Sequence, residues 1–515
     1  MPFTNSVKAI GPGPTAGPHI VRTVLTQSEM DAPMNVVVAL QVRSFDELNA
    51  RIQRGESISQ AELESKYLPL QSDYDNMASW LRDQGFSVTF KDRLHTNVIV
   101  SGKVSTAARA FGASFARVAT ADGEFTSAIS APSLPQEIAG GVLSIEGLQP
   151  HVLMHPPSKN ATAVTNVNGA VTPSDVAVAY NLPAGVDGNG VPYTGTGQAI
   201  AILMDSAPSM SDLNTFWNDV GATFPAANFS VENVGGGATS STDQDESNLD
   251  SEWVTAMAPG ARVIFYSMPS MTAGDLVTAL TQVETDGIAA IVTYSAYGPE
   301  SQFAQSTLQA AAQQTALMAA VRITVLACSG DSGSNPVSPT VGKGYSPSLP
   351  LQVSYPASDP SVTGVGGTNS TFDATWDMVS EAAWSQPAAG SGYPLATGGG
   401  YSQQFTRPSW QVAAGVPSGS MRCVPDVAAM ATTTTQAAGS VSGGGFTING
   451  GLSYVTCGTS LSSPIWAAVV AMLNQERKSL GLTNVGFLNP VLYASNDASS
   501  FHDVTTGSNG AYSAG

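Results

Sequence analysis

Ser460 lies in Thr456-Cys457-Gly458-Thr459-Ser460-Leu461-Ser462-Ser463-Pro464, which runs into the apolar helical pattern Ala467-Ala468-Val469-Val470-Ala471-Met472-Leu473. Gly458 permits a tight turn, Pro464 is tolerated in a first helical turn, and the uncapped N–H groups of a helix start leave positive charge beside the hydroxyl. Such a place suits a nucleophile; taken alone, the default for a serine there is the cap of a buried helix. The run Asp243-Gln244-Asp245-Glu246-Ser247-Asn248-Leu249-Asp250-Ser251-Glu252-Trp253 opens a second helix, on which Glu246 and Asp250, four apart, share a face. Like charges at that spacing repel, so the pair either faces water or is held for use. If buried, the two carboxyls titrate together, share a proton and can act as a general base at low pH. The run is not a calcium loop: counting from Asp243, the sixth and twelfth positions hold Asn248 and Val254 instead of Gly and Glu. A third acid, Asp331 in Ala327-Cys328-Ser329-Gly330-Asp331-Ser332-Gly333-Ser334, either caps a turn or points into a cleft.

The elements that must position these groups are apolar runs at Ala199–Met204, Arg262–Ser267, 288–294 and 323–328, separated by helical segments. Runs of that kind imply a parallel sheet covered on both faces, with reactive groups in loops at the carboxyl ends of its strands. Met204-Asp205-Ser206 reads as the end of a core strand. Beyond Pro336, stretches such as Gly398-Gly399-Gly400 and Gly443-Gly444-Gly445 read as loops and irregular strands.

The first part of the chain is organised differently. Residues 1–30, with Gly11-Pro12-Gly13-Pro14, read as a flexible lead-in. Residues 31–153 follow as a small α+β unit: a strand at 35–42, a helix opened by a capping box at Ser44-Phe45-Asp46-Glu47, a helix over 73–84, strands at 86–90 and 96–101, a helix at 105–111 and a strand at 114–118. That order is of the split β-α-β, ferredoxin-like kind. Residues 154–171, from Met154-His155-Pro156-Pro157-Ser158-Lys159-Asn160 to Gly169, read as an exposed linker open to proteolysis, and residues 172–515 as the larger α/β domain.

Composition narrows the class. A chain of 515 residues, 42% hydrophobic, buries a large core and has room for two or more domains. No run of eighteen apolar residues spans a membrane, and residues 1–8 show no basic segment leading an apolar one, so no export signal is read there. Residues 1–170 hold 15 acidic and 13 basic side chains, whereas the remainder holds 24 and 7. That imbalance disfavours nucleic acid and suits work in acid. Three cysteines form no disulfide framework or metal spacing. Of the five histidines, none lies between His155 and His502.

Taken together, Gly458-Thr459-Ser460-x-x-x-Pro464, Glu246-x-x-Leu249-Asp250 followed by Ala258-Pro259-Gly260-Ala261, and Ser329-Gly330-Asp331-Ser332-Gly333 resemble the sedolisin family, the serine-carboxyl peptidases that include the kumamolisins. Gly197-Gln198-Ala199-Ile200-Ala201-Ile202, Pro408-Ser409-Trp410-Gln411, Val424-Pro425-Asp426-Val427-Ala428 and, earlier, Trp80-Leu81, Gly85-Phe86 and Ala110-Phe111-Gly112 extend the likeness from about residue 35 to the end. The resemblance implies a subtilisin-like catalytic domain behind a prodomain. It makes Ser460 the nucleophile, Glu246 its base, Asp250 the carboxylate orienting Glu246, and Asp331 the donor to the oxyanion. It further implies an acid-acting, self-processing, extracellular and monomeric endopeptidase, with protein or peptide substrates and its own prodomain as inhibitor. A subtilisin-type mechanism needs a His base, and the second domain offers none at a helix start.

Several positions depart from the family pattern. Cys457 stands where the family has Gly. Ala296-Tyr297-Gly298 replaces Ser-Trp-Gly, so Tyr297 and Gly298 are the expected substrate-binding positions with an altered preference. The family's calcium site begins with an Asp-hydrophobe pair, here Asp503-Val504, but only Gly510-Ala511-Tyr512-Ser513-Ala514-Gly515 follows, and the expected Ca2+ cage is incomplete. The competing reading is a catalytically silent relative that binds or scaffolds.

Overall fold

Continuous burial along one strand requires two covered faces, and the N-terminal unit has them. In the computed structural model, which describes residues 1–515 except 12–16, 158–160, 166, 168–169, 337–345, 347, 388–393, 414, 434–442, 496–497 and 515, this unit contains β1 (Pro33–Leu40), α1 (Phe45–Gln53), α2 (Gln71–Asp83), β2 (Ser87–Lys91), β3 (Asn97–Lys103), α3 (Val104–Phe111) and β4 (Val142–Glu146). The strands order β2-β3-β1-β4, all antiparallel, in the split β-α-β arrangement. Val36, Val38, Val98 and Val100 pack with Met77, Leu81 and Phe111 of the unit's own helices. Their alternates Val37 and Ile99 join the core of the second domain.

Two local expectations fail here. Ser44 adopts φ +47° and makes no side-chain cap bond, so α1 starts without a capping box. The lead-in expected to be flexible carries a strand, His19–Arg22, and a helix, Gln27–Met30, that Thr26 and Glu29 cap reciprocally. Ser6 is buried, its Oγ 3.0 Å from Ser306 Oγ of the second domain. Pro12-Gly13-Pro14 and Ser158-Lys159-Asn160 lie outside the described residues.

A two-residue strand of the linker, β5 (Thr162–Ala163), precedes the second domain. That domain contains β6 (Ala199–Met204), α4 (Met210–Asp219), β7 (Phe229–Asn233), α5 (Gln244–Met257), β8 (Arg262–Ser267), α6 (Ala273–Asp286), β9 (Ile291–Tyr294), α7 (Gln305–Ala320), β10 (Thr324–Cys328), β11 (Thr363–Phe372), β12 (Met378–Ala383), β13 (Val427–Thr433), β14 (Gly445–Asn449), β15 (Leu452–Thr456) and α8 (Thr459–Ser479). The main sheet runs β7-β8-β6-β9-β10-β11-β12, with β13 beside β11. Every pairing is parallel except β11 with β12. All six residues of β6 and all four of β9 are buried, as strands covered on both faces must be.

Helices α5 and α8 pack together on one side of the sheet, and α6 and α7 pack together between the sheet and the prodomain. Because α7 is enclosed from both sides, its sequence has no polar stripe. Its glutamines bridge the domains instead: Gln313 accepts from Val42 N (2.8 Å) and donates to Leu40 O (2.8 Å), and Gln314 accepts from Asn97 Nδ2 (2.9 Å). Among the described residues no helix is long and apolar enough to cross a membrane.

Candidate active site

Ser460 is the second residue of α8. Gly458 before it holds φ +143°, and a Cβ there would stand 2.6 Å from Asp331 Oδ2, so glycine is required for the loop to pass the acid. Side chains that the sequence reading passed over fix the first turn. Ser462 Oγ donates to Ala429 O of β13 (3.0 Å), Ser463 Oγ lies 2.9 Å from Thr293 Oγ1 of β9, and Trp466 Nε1 donates to Ala428 O (3.0 Å). Hydroxyls in a chain rich in small polar residues carry no signal that would have singled these out. Pro464, expected in the first turn, is the sixth helical residue, where its missing N–H would otherwise bond the Ser460 carbonyl.

Glu246 and Asp250 project from α5, in which every residue from 246 to 255 is buried. The Ser460 hydroxyl lies beside the Glu246 carboxyl and favours its charged form. Burial raises Glu246 well above the ordinary carboxyl range, neighbouring Asp250 and Asp245 raise it further, and Ser460 opposes them. Burial raises Asp250 as well, against the bond that Ser295 Oγ donates to Asp250 Oδ1 at 2.9 Å. Glu246 Oε1 and Asp250 Oδ2 are buried without a hydrogen-bond partner. Two carboxyls so placed do not readily both carry charge, and they titrate as a coupled pair.

Asp331 lies in the loop after β10 and is fully buried. Its Oδ1 accepts from Thr459 N (2.9 Å) and Thr459 Oγ1 (2.8 Å), and Thr459 Oγ1 in turn accepts from Gly330 N (3.1 Å). The third acid is therefore tied to the residue preceding Ser460. Ser295 and Asp331 both follow carboxyl ends of adjacent parallel strands, where such sheets gather reactive groups. All four expected catalytic side chains thus meet around the start of α8. No imidazole lies in the segment that builds this site, residues 156–501.

Residues 23–150 match the family described as "Pro-kumamolisin, activation domain". Over 93% of its length the chain is 31% identical to kumamolisin of Bacillus sp. (strain MN-32), covering 86% of that protein. The chain belongs to the sedolisin family. It is a serine-carboxyl peptidase made with an activation domain. Sedolisin of Pseudomonas sp. (strain 101) is 28% identical over 92% of this chain and 82% of its own. The structure of Pseudomonas sedolisin (serine-carboxyl proteinase) complexed with two molecules of pseudo-iodotyrostatin superposes with a TM-score of 0.54 at 28% identity, covering 69% of this chain and 93% of that one.

In this sedolisin-family chain Tyr297 is buried, its ring against Gly330, where a Cβ would come within 2.6 Å of it, and its hydroxyl 3.0 Å from Ser332 Oγ. Gly298 is also buried, paired antiparallel with Tyr355. The Tyr297 backbone exchanges two 2.9 Å hydrogen bonds with His155 of the linker. Further along the linker, Ala161 lines a cavity of about 190 Å³ together with Asp245, Glu246, Leu249, Asn449 and Tyr454. β5 then pairs with β15, Ala163 opposite Tyr454 and Thr162 opposite Val455.

The β14–β15 hairpin is clamped by acids that the sequence did not single out. Glu252 of α5, raised well above its ordinary value by burial against the bond from Thr447, accepts from Thr447 Oγ1 (2.6 Å) and Ile448 N (3.2 Å). Asp212 of α4 accepts from Gly450 N and Gly451 N at the hairpin turn (2.9 Å each) and from Asn248 Nδ2 (3.0 Å). Cys457 is a buried thiol clustered with Trp384, Leu395 and Ala431. Asp205, just past β6, is pushed up to about 7 by burial and then by Asp243.

Asp503 is exposed and Val504 half-buried. Among the described residues no group of three or more His, Cys, Asp or Glu side chains converges as a metal site. A calcium cage takes six to eight oxygens, commonly with several carboxylates, and among the described residues no such set of carboxylates gathers around Asp503.

Proposed function

We propose that the chain is the zymogen of an acid-acting endopeptidase that cuts its own linker and hydrolyses peptide bonds through an acyl-enzyme on Ser460. The observation that carries this reading is the Ser460 hydroxyl set beside Glu246, itself half of a buried pair of carboxyls that titrate together. With one negative charge on that pair, Glu246 takes the Ser460 proton as Oγ attacks the peptide carbonyl. Asp250, steadied by Ser295, keeps Glu246 aimed. Asp331 in its protonated form donates a hydrogen bond to the tetrahedral oxyanion. The C–N bond then breaks, the departing amine takes the proton from Glu246, and a water activated by the same carboxylate hydrolyses the acyl ester. An oxyanion donor must carry a hydrogen, so the arrangement works only while Asp331 is protonated, which sets an acidic optimum.

Self-cleavage is supported by the course of the linker, whose His155 lies on Tyr297 and whose Ala161 reaches the cavity beside Glu246. The bond cut first lies between Pro157 and Ala161. Until then the prodomain, docked over α6 and α7, holds the linker across the cleft as an inhibitor. Incubating the full chain at about pH 4, in the range of ordinary carboxyl titration, gives a mass drop matching loss of the prodomain and then peptide hydrolysis. Ser460→Ala shows neither, and an equal mass drop in that variant contradicts self-cleavage.

A further inference from the structure

We propose that the Tyr297 hydroxyl is a positioning group for the oxyanion donor: through Ser332 it fixes the turn that carries Asp331 against the start of α8. This rests on the peptidase reading above and adds a residue that acts through Asp331 without touching the reacting atoms.

An acid that donates to an oxyanion has to be held to within about 0.5 Å. The turn after β10, with Gly330 before the acid and Gly333 two residues after it, has little stiffness of its own. The structure supplies stiffness from outside. Gly398 N donates to Gly330 O (2.6 Å), Ala396 N to Asp331 O (3.1 Å) and Gly333 N to Ala396 O (2.9 Å), so residues 396–398 hold the backbone of the turn. Thr459 holds the Asp331 carboxyl and Gly330 N. Tyr297 grips the residues on both sides of the acid. Its ring fills the space a side chain at Gly330 would need, a Cβ there meeting three ring carbons at 2.6, 2.8 and 2.9 Å. Its hydroxyl lies 3.0 Å from Ser332 Oγ.

The sheet register brings these groups together. β9 and β10 are parallel neighbours with Tyr294 opposite Ala327, so three residues further on Tyr297 comes opposite Gly330. Both hydroxyls are buried, Tyr297 at 4% and Ser332 at 2% exposure, and removing either leaves the other without that partner inside the protein. Burial raises the phenol and neighbouring Asp331 raises it further, so the tether stays uncharged wherever carboxyls titrate. The backbone of Tyr297 is engaged separately, exchanging its two 2.9 Å hydrogen bonds with His155. Side chain and backbone therefore serve different ends: loss of the hydroxyl alters how well Asp331 is held and leaves the backbone contact with an extended chain intact. Trp, which stands here in the family pattern, has no hydroxyl, so the tether belongs to this chain.

The test measures kcat and KM on one fluorogenic peptide at about pH 4, within the ordinary carboxyl range. Variants are processed in trans by wild type that is then removed, and Ser460→Ala taken through the same steps is the blank. Tyr297→Phe keeps the ring on Gly330 and loses the hydroxyl; kcat is expected to fall about fivefold to tenfold, the worth of one hydrogen bond, with KM within about twofold. Ser332→Ala removes the same bond from its other end and gives the same loss, and the double variant loses no more than either single one. In an Asp331→Ala background Tyr297→Phe changes kcat by less than about twofold, because the group it positions is gone. An unchanged kcat, a loss confined to KM, losses that multiply in the double variant, or an equal loss in the Asp331→Ala background overturns the positioning role while leaving the peptidase intact. Should Tyr297→Phe fail to fold, Ser332→Ala with and without Asp331→Ala decides the same question. Absence of Ser460-dependent hydrolysis by the wild type overturns the peptidase reading and this inference with it.

Discussion

Two groups of buried acids lie on opposite sides of the main sheet. One is Glu246, Asp250 and Asp331 around Ser460; the other is Glu146 and Glu284 where the prodomain meets α6 and α7. Burial raises the carboxyls of both: Glu146 and Glu284 are each pushed up to about 7, the second despite Arg93 beside it. What separates the groups is what their oxygens address. Glu146 Oε2 accepts from Thr307 Oγ1 at 2.7 Å and Glu284 pairs with Arg93, contacts that hold one domain on the other. Glu246 faces a hydroxyl at a helix start and lines a cavity of about 190 Å³. A raised carboxyl alone therefore does not mark a catalytic group. An acid becomes catalytic when a nucleophile and room for substrate stand in front of it.

Removing the base breaks the comparison most sharply. Glu246→Ala is expected to lower kcat on a peptide substrate by about a thousandfold or more, in line with the loss of one member of a nucleophile–base unit, with KM little changed. Asp331→Asn is expected to cost about a hundredfold at acid pH, and the fall in activity as pH rises shifts upward, because an amide keeps its N–H where a carboxyl loses its proton. An unchanged alkaline limb removes Asp331 from the oxyanion role.

On the interface side the sign is opposite. With Glu146 raised, the docked protein holds a proton that the released prodomain gives up, so its contribution to docking is full below the ordinary carboxyl value of about 4.5 and is lost as pH rises through about 7. Glu146→Gln, neutral throughout, is expected to stabilise the Ser460→Ala full chain against thermal unfolding at pH 8 by about 1–3 kcal/mol, with little change at pH 4. A loss at pH 8 contradicts this. The smallest effect belongs to Arg93→Ala: at pH 4 Glu284 is neutral and the change is within about 0.5 kcal/mol, growing towards about 1 kcal/mol at pH 8 for so exposed a partner. By this account acid tightens docking, and cutting the linker releases the prodomain.

The four residues that gather at the start of α8 and the parallel strands were legible because each stands in a recognisable local pattern. Ala199–Met204 and Arg262–Ser267 are uninterrupted apolar runs, and Glu246 with Asp250 is a helical spacing. The hairpin clamp was not legible, since Asp212 and Glu252 meet Gly450, Gly451 and Thr447 across some 200 residues, and nothing near either acid foretells it. Ser44 misled for a related reason: the letters of a capping box say nothing of the backbone angle, and the chain turns left-handed there. The Gly-Pro-rich start suggested flexibility, yet Ser6 is fixed by Ser306, a contact with no trace in either local sequence.

The central claim is that carboxyls, with no imidazole, serve the Ser460 hydroxyl. Its most direct test is the pH profile of kcat/KM for peptide hydrolysis by the acid-processed protein, measured beside Glu246→Ala processed in trans by the wild type. The account requires a maximum near pH 4, within the carboxyl range, activity falling away by neutrality, and no such maximum in the variant. A maximum at neutral or alkaline pH that Glu246→Ala retains would contradict it.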